Sequence, residues 1–155
     1  MRVERQRVYA TALDDGFRLI TDIDNWPSYW PGLVRVEPGS EWNSPGDRAR
    51  LTMRFLGREV TLELTLREFA RFSFVAYDSV QEGLPDAHHE RHFEPAEGGF
   101  LYRIVVDYDP RPGLPGLLDR TVVRWGTARA VRQTLANLEP LLVGTSPLEP
   151  GAAGL

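Results

Sequence analysis

The sequence predicts an α+β fold, a single curved antiparallel sheet of about seven strands wrapped around one long C-terminal helix. Three observations predict it. Residues 33 to 108 alternate between apolar and polar side chains with period two. The alternating runs are separated by short breaks rich in glycine, proline and aspartate, as in hairpins, so the strands should be antiparallel. Beyond residue 116 the pattern changes to that of one long amphipathic helix.

The elements follow in order. Val3 to Tyr9 reads as a first strand whose arginines give it one wet face. Thr11 is placed to cap a short helix from Ala12 to Thr21, with Leu13, Phe17 and Ile20 on one side. Gly16 should weaken that helix by about 1 kcal/mol relative to alanine. In Asp22-Ile23-Asp24-Asn25-Trp26-Pro27, Asp24 or Asn25 can cap a second short helix, with Pro27 in its first turn. Leu33 to Glu37 is the second strand, and Pro38 to Asp47 a turn-rich connection. Leu51, Met53 and Phe55 alternate with Thr52 and Arg54, and Leu56-Gly57-Arg58 marks a hairpin. Val60, Leu62, Leu64 and Leu66 then alternate with Thr61, Glu63, Thr65 and Arg67, which predicts one buried and one wet face. Strands over Arg71 to Ser79, Ala87 to Glu94 and Phe100 to Tyr108 complete the sheet.

Pro110 to Gly116 is a loop. The long helix runs from about Leu117 to Leu142, with an apolar stripe of Leu118, Val122, Trp125, Ala128, Leu135, Leu138 and Leu142. A chain of 155 residues fits one domain. Residues 1–143 are assigned to it, and 144–155, small and rich in proline and glycine, to a disordered tail.

Composition narrows the function classes. The absence of cysteine removes disulfides, thiolate metal sites and thiol nucleophiles. A net charge of −4 offers no basic excess for a phosphate backbone, so nucleic acid is not an expected partner. No apolar run is long enough for a membrane span, and Met1 to Tyr9 lacks the apolar core of a signal peptide, so a cytoplasmic protein is expected. There is no GxSxG, no glycine-rich phosphate loop and no HExxH, and no serine is placed by sequence near a histidine. No catalytic set is therefore assigned, and no cofactor or metal is expected.

The three histidines fall in His88-His89-Glu90-Arg91-His92. On a strand, His88, Glu90 and His92 share one face at steps of about 6.6–6.8 Å. Ligands so spaced converge poorly on one ion, and a solvated face is the better reading. His89, Arg91 and Phe93 share the other face, so a buried Phe93 turns His89 and Arg91 inward. The favoured reading of Arg91 is an ion pair with Asp107, Asp78 or Glu90; the other is an anchor for a ligand's carboxylate or carbonyl oxygen. Of the aromatic hydroxyls, Tyr102 is preferred to Tyr77 as an inner group because it shares a face with Phe100 and Ile104.

This order of elements resembles the START/Bet v 1-like helix-grip superfamily, which contains the polyketide cyclase/dehydrase proteins. The likeness covers about residues 3 to 142. Thr21 to Pro27 is similar to the superfamily's signature after the first helix, while Asp109 to Pro115 and Thr134 to Glu139 resemble the tetracenomycin-type aromatase/cyclase branch. The resemblance implies a cavity between sheet and helix for a small hydrophobic molecule such as a polyketide, lipid or quinone. In the cyclase branch the polar cavity groups include a sheet arginine and a helix asparagine. Asn137 matches the latter, and Arg67 is the nearest sheet arginine, although its parity turns it outward unless a bulge intervenes. The branch's aromatic hydroxyl after the second helix is replaced near Leu33.

The expected ligand contacts are then the rim residues Trp26 and Trp30, with Met53, Phe55, Leu62, Leu64 and Phe74 from the sheet. His89, Arg91, Tyr102 and Ile104 follow from the later strands, and Trp125, Ala128 and Asn137 from the helix. The expected function is binding of a small hydrophobic molecule without membrane insertion, by a monomer or homodimer. The alternative is a polyketide aromatase/cyclase that directs an aldol closure with Arg91, Tyr102 and Asn137.

Overall fold

The computed structural model describes residues 1–39, 41–55, 57–109 and 119–145. The expected loop at 110–116, the helix start at 117–118, Leu56, and residues 146–155 of the expected tail lie outside the described residues. Seven strands form one sheet: β1 (Arg2–Tyr9), β2 (Leu33–Pro38), β3 (Arg48–Phe55), β4 (Arg58–Ala70), β5 (Phe74–Gln81), β6 (Ala87–Ala96) and β7 (Gly99–Tyr108). Their order is β1-β7-β6-β5-β4-β3-β2, and every pair is antiparallel. Sequence neighbours pair along the whole meander, and the single long-range step brings β1 against β7.

Alternation sets the two faces. Leu62, Leu64 and Leu66 of β4 point inward with Leu51 and Met53 of β3 and with Phe100, Tyr102, Ile104 and Val106 of β7, and all are buried. Burying a large apolar side chain of this kind contributes about 1.5–3 kcal/mol. The register of β4 on β5 shifts between Leu66 and Glu68, so a bulge does occur at Arg67. It does not turn the side chain in. Arg67 stays on the wet face, with its Nε–H donating to Asp78 at 2.7 Å.

Helix α1 (Leu13–Thr21) lays Phe17 and Ile20 on the sheet. Its N-terminus differs from expectation. Ala12 is the cap residue, without a side-chain bond, and the hydroxyl of Thr11 donates instead to the Leu142 carbonyl at 3.2 Å. The tie to the end of the long helix outweighs a local cap. Gly16 is also more than a weak helix former. A Cβ there would collide with the ring of Phe100, so glycine lets α1 sit close on β7.

A 3₁₀ turn (Ile23–Ser28) follows, capped by Asp22 rather than Asp24 or Asn25: the Asp22 carboxylate accepts from the Asp24 N–H at 3.0 Å. The last carbonyls of α1 have no partner within the helix. Here the indole N–H of Trp26 (3.0 Å) and the hydroxyl of Tyr29 (2.7 Å) both donate to Ile20, and the Asn25 side chain donates to Leu19 (3.1 Å). The signature segment thus folds back as a cap on the helix before it.

Between β4 and β5 the chain turns at Arg71 to Ser73 instead of continuing as strand, with Phe72 at φ 66°. That left-handed conformation is uncommon outside glycine. At the C-terminus a π-helical turn (Asp119–Val123) leads into the long helix α2 (Arg124–Thr145). The helix therefore runs two residues into the stretch read as tail. Among the described residues, no helix is long and apolar enough to cross a membrane.

Candidate functional site

Helix α2 does not fill the sheet evenly. Under its second half Leu135, Leu138 and Leu142 are buried against the α1 side of the sheet. Under its first half lies a cavity of about 120 Å³. That is roughly ten times what one water needs. Its helix wall is made of small or β-branched side chains, including Thr127, Ala130, Val131 and Thr134. Its sheet wall is apolar through Met53, Phe55, Val60, Leu62, Ile104 and Val106. Trp30 and Pro31 border it on one side, and Leu84 and Pro85 on another.

Besides Tyr108 of β7 and the helix threonines, the polar lining groups lie on β5 and β6. Ser79, Gln81, His89 and Arg91 all reach the cavity, and all are buried. Ser79 Oγ lies 2.9 Å from His89 Nε2. Two tautomers fit: the hydroxyl donates to Nε2 with the ring proton on Nδ1, or Nε2–H donates to the hydroxyl. Either way His89 Nδ1 is buried without a hydrogen-bond partner among the described residues. Burial, and then the neighbouring Arg91 charge, hold the His89 pKa well below its ordinary value, so the ring is neutral at pH 7. The ring stacks on Tyr77 with centroids 4.6 Å apart.

Arg91 is 5% exposed. Its Nη2 donates to the Tyr77 hydroxyl at 2.7 Å and its Nη1 to the Glu90 carbonyl at 3.1 Å. Its guanidinium lies over the rings of Trp30 (5.4 Å) and Tyr77 (5.3 Å). Burial raises the pKa of Tyr77, so this hydroxyl remains neutral. The expected ion pair with Asp107, Asp78 or Glu90 does not form. Asp78 faces outward to Arg67 and His88, Glu90 to His88 and His92, and Asp107 to Arg2 and the N-terminus. Parity explains the miss: every carboxylate close in sequence sits on the opposite face. Arg91 also borders a second hollow of about 10 Å³, the space one water needs, with Trp26, Trp30, Trp42 and Tyr102.

The structure brings seven of the expected contacts to the large cavity: Trp30, Met53, Phe55, Leu62, His89, Arg91 and Ile104. Trp26 and Tyr102 line the small hollow beside it. The other five stand elsewhere. Leu64 is 1% exposed in the filled core and lines neither hollow. Phe74 pairs with outward-facing His92 and packs on its ring at 4.8 Å, because Val75, not Phe74, holds the inward parity.

Trp125 is 58% exposed, with the Arg129 guanidinium over its ring. It lies thirteen positions before Leu138, about 140° around the helix. Three-residue steps fall short of a full turn, so the expected stripe drifted off the buried face. Ala128 packs against the core at the cavity's flank and is not part of its wall. Asn137 donates to the Tyr29 carbonyl at 3.0 Å and accepts from Gln133 at 2.8 Å, tying α2 to the segment after the 3₁₀ turn. Arg91, Tyr102 and Asn137 therefore do not meet in one pocket.

Sequence reasoning ranked Tyr77 behind Tyr102 and missed Ser79 and Gln81. Their shared parity with Val75 was available as a signal. The Ser79–His89 contact was not, since it depends on the β5–β6 register, in which Tyr77 faces His89.

With the geometry in hand, comparison with known proteins adds the relations of the chain. The family model described as "Polyketide cyclase / dehydrase and lipid transport" matches residues 1–143. No curated protein matches the sequence. Among solved structures, TTHA0849 from Thermus thermophilus is similar with a TM-score of 0.80 at 19% identity, over 94% of this chain and 99% of that one. A START superfamily protein from Mycobacterium smegmatis gives 0.77 at 12% identity, over 94% and 99%. The di-domain ARO/CYC StfQ from the steffimycin biosynthetic pathway gives 0.74 at 18% identity, over 99% of this chain and 52% of that one. At these identities the likeness is one of fold: a curved antiparallel sheet gripping a long C-terminal helix.

Proposed function

This chain belongs to the polyketide cyclase/dehydrase and lipid transport family, and we propose that it binds one small, largely apolar molecule (a polyketide, lipid or quinone-like compound) in the cavity under the first half of α2. One observation carries this reading: the helix presents small side chains opposite a broad apolar wall of the sheet, so a sizeable apolar space stays open inside the fold. Such a space is a natural ligand site when a few polar groups stand in a largely apolar lining, as Ser79, Gln81, His89 and Arg91 do.

The test is binding of the uncharged dye N-phenyl-1-naphthylamine, read by its fluorescence. One molecule per chain should bind, and Ala130→Phe, which places a ring in the cavity, should weaken binding at least about tenfold. Unchanged binding by a folded Ala130→Phe variant would remove the cavity from the account.

The second reading is a polyketide aromatase/cyclase. What favours it is the Ser79–His89 pair at 2.9 Å beside Arg91, since these groups could orient a carbonyl and pass a proton during aldol closure. Presented with a reactive poly-β-ketone, a cyclase changes the ring pattern relative to spontaneous closure. An unchanged pattern would reject this reading and leave the binding one intact.

A further inference from the structure

The polar lining of the cavity carries a charge that the described protein does not balance. The partners of the Arg91 guanidinium are all neutral: a hydroxyl, a backbone carbonyl and two ring faces. No carboxylate among the described residues lies within ion-pair distance of it. A cation held out of water this way is costly unless an anion completes it. The guanidinium has five N–H donors, and the two bonds to Tyr77 and Glu90 leave others for a ligand. A second observation points the same way. His89 is buried on the same wall, is neutral, and has Nδ1 without a partner among the described residues. In the tautomer that accepts from Ser79, this nitrogen carries a proton that no described group accepts.

We propose that the bound molecule is an amphiphile with a single carboxylate head, held as the anion by Arg91 beside His89, with its apolar tail along Met53, Leu62 and Val106. This inference rests on the ligand-binding reading and names the chemistry of its ligand. One negative charge is what the site can neutralise. A phosphate dianion would leave excess charge in an apolar hollow, and a neutral carbonyl would leave Arg91 uncompensated. The planar guanidinium also matches the two oxygens of a carboxylate.

The experiment compares three competitors with identical ten-carbon chains, decanoate, methyl decanoate and 1-decanol, for displacement of N-phenyl-1-naphthylamine near neutral pH. Decanoate should displace the dye at least about tenfold more strongly than the ester or the alcohol. In Arg91→Gln the preference should vanish while the alcohol still competes. The wild-type comparison stands alone should that variant fail to fold. Equal or weaker displacement by decanoate, with the dye and the alcohol bound, overturns the carboxylate inference and leaves the cavity reading in place. Failure of the dye and of all three competitors to bind overturns both.

Discussion

The two halves of α2 lie over the same sheet and do opposite things. The second half sends in Leu135, Leu138 and Leu142, and the space beneath α1 is closed by rings: Phe17 on Phe93 at 4.8 Å, Phe93 on Tyr102 at 5.0 Å, Tyr9 on Phe100 at 5.6 Å. The first half offers Thr127, Ala130, Val131 and Thr134, with Val123 from the turn before it, and a cavity remains. The hollow is therefore a matter of side-chain volume on one helix face. A curved sheet leaves room, and a leucine stripe fills it while an alanine–threonine stripe does not.

Truncation at the two ends of the interior tests this difference most strongly. Leu138 is fully enclosed. Leu138→Ala should create a new void and cost about 3–5 kcal/mol of unfolding free energy in denaturant titration. Leu62 already faces the cavity, so Leu62→Ala only enlarges an existing space and should cost about 2 kcal/mol or less. Equal losses at both positions would mean that the first half is as tightly packed as the second.

How far the sequence foretold this contrast follows from its periods. Strands announce themselves by alternation, and the sheet and the inward side of Leu62, Leu66, His89 and Arg91 follow from period two. Alternation also survives small errors, because a strand has only two faces. The helix is less forgiving. Its phase must be tracked over many turns, and small drifts carried Trp125 from the outside to the expected inside. Partners were hardest of all. That Arg91 would meet Tyr77 and not a carboxylate, and that Ser79 would meet His89, depends on pairing between strands whose offset no single residue encodes.

Acidity sharpens the contrast at the polar lining of the cavity. His89 is held neutral by burial, with its pKa well below the ordinary value of 6.5. Above that pH it is neutral folded and unfolded, and contributes no pH dependence. Below it the unfolded chain takes up a proton that the folded chain refuses, so stability falls as pH drops. The slope from this one group is at most about 1.4 kcal/mol per pH unit. The carboxylates of Asp78 and Glu90, held below their ordinary values, lose their stabilising contribution only at lower pH, through the acid range. Denaturation midpoints between about pH 7.5 and about pH 5 should decline for the wild type and stay flatter for His89→Gln. Identical slopes would show that the ring takes its proton without unfolding.

The smallest effect belongs to the residue that the helical pattern misplaced. Trp125 lies on the same half of α2 as the cavity, but it is 58% exposed, with the Arg129 guanidinium over its ring, 5.5 Å away. An exposed ring with one cation above it contributes little, since most of its area is wet in the folded and unfolded chain alike. Trp125→Ala should therefore change unfolding free energy by less than about 1 kcal/mol and leave dye binding unaltered. A large loss of stability would return Trp125 to the buried stripe. A loss of dye binding alone would make it part of the cavity's entrance, and the difference between the halves of α2 would then lie in what covers the hollow as well as in what fails to fill it.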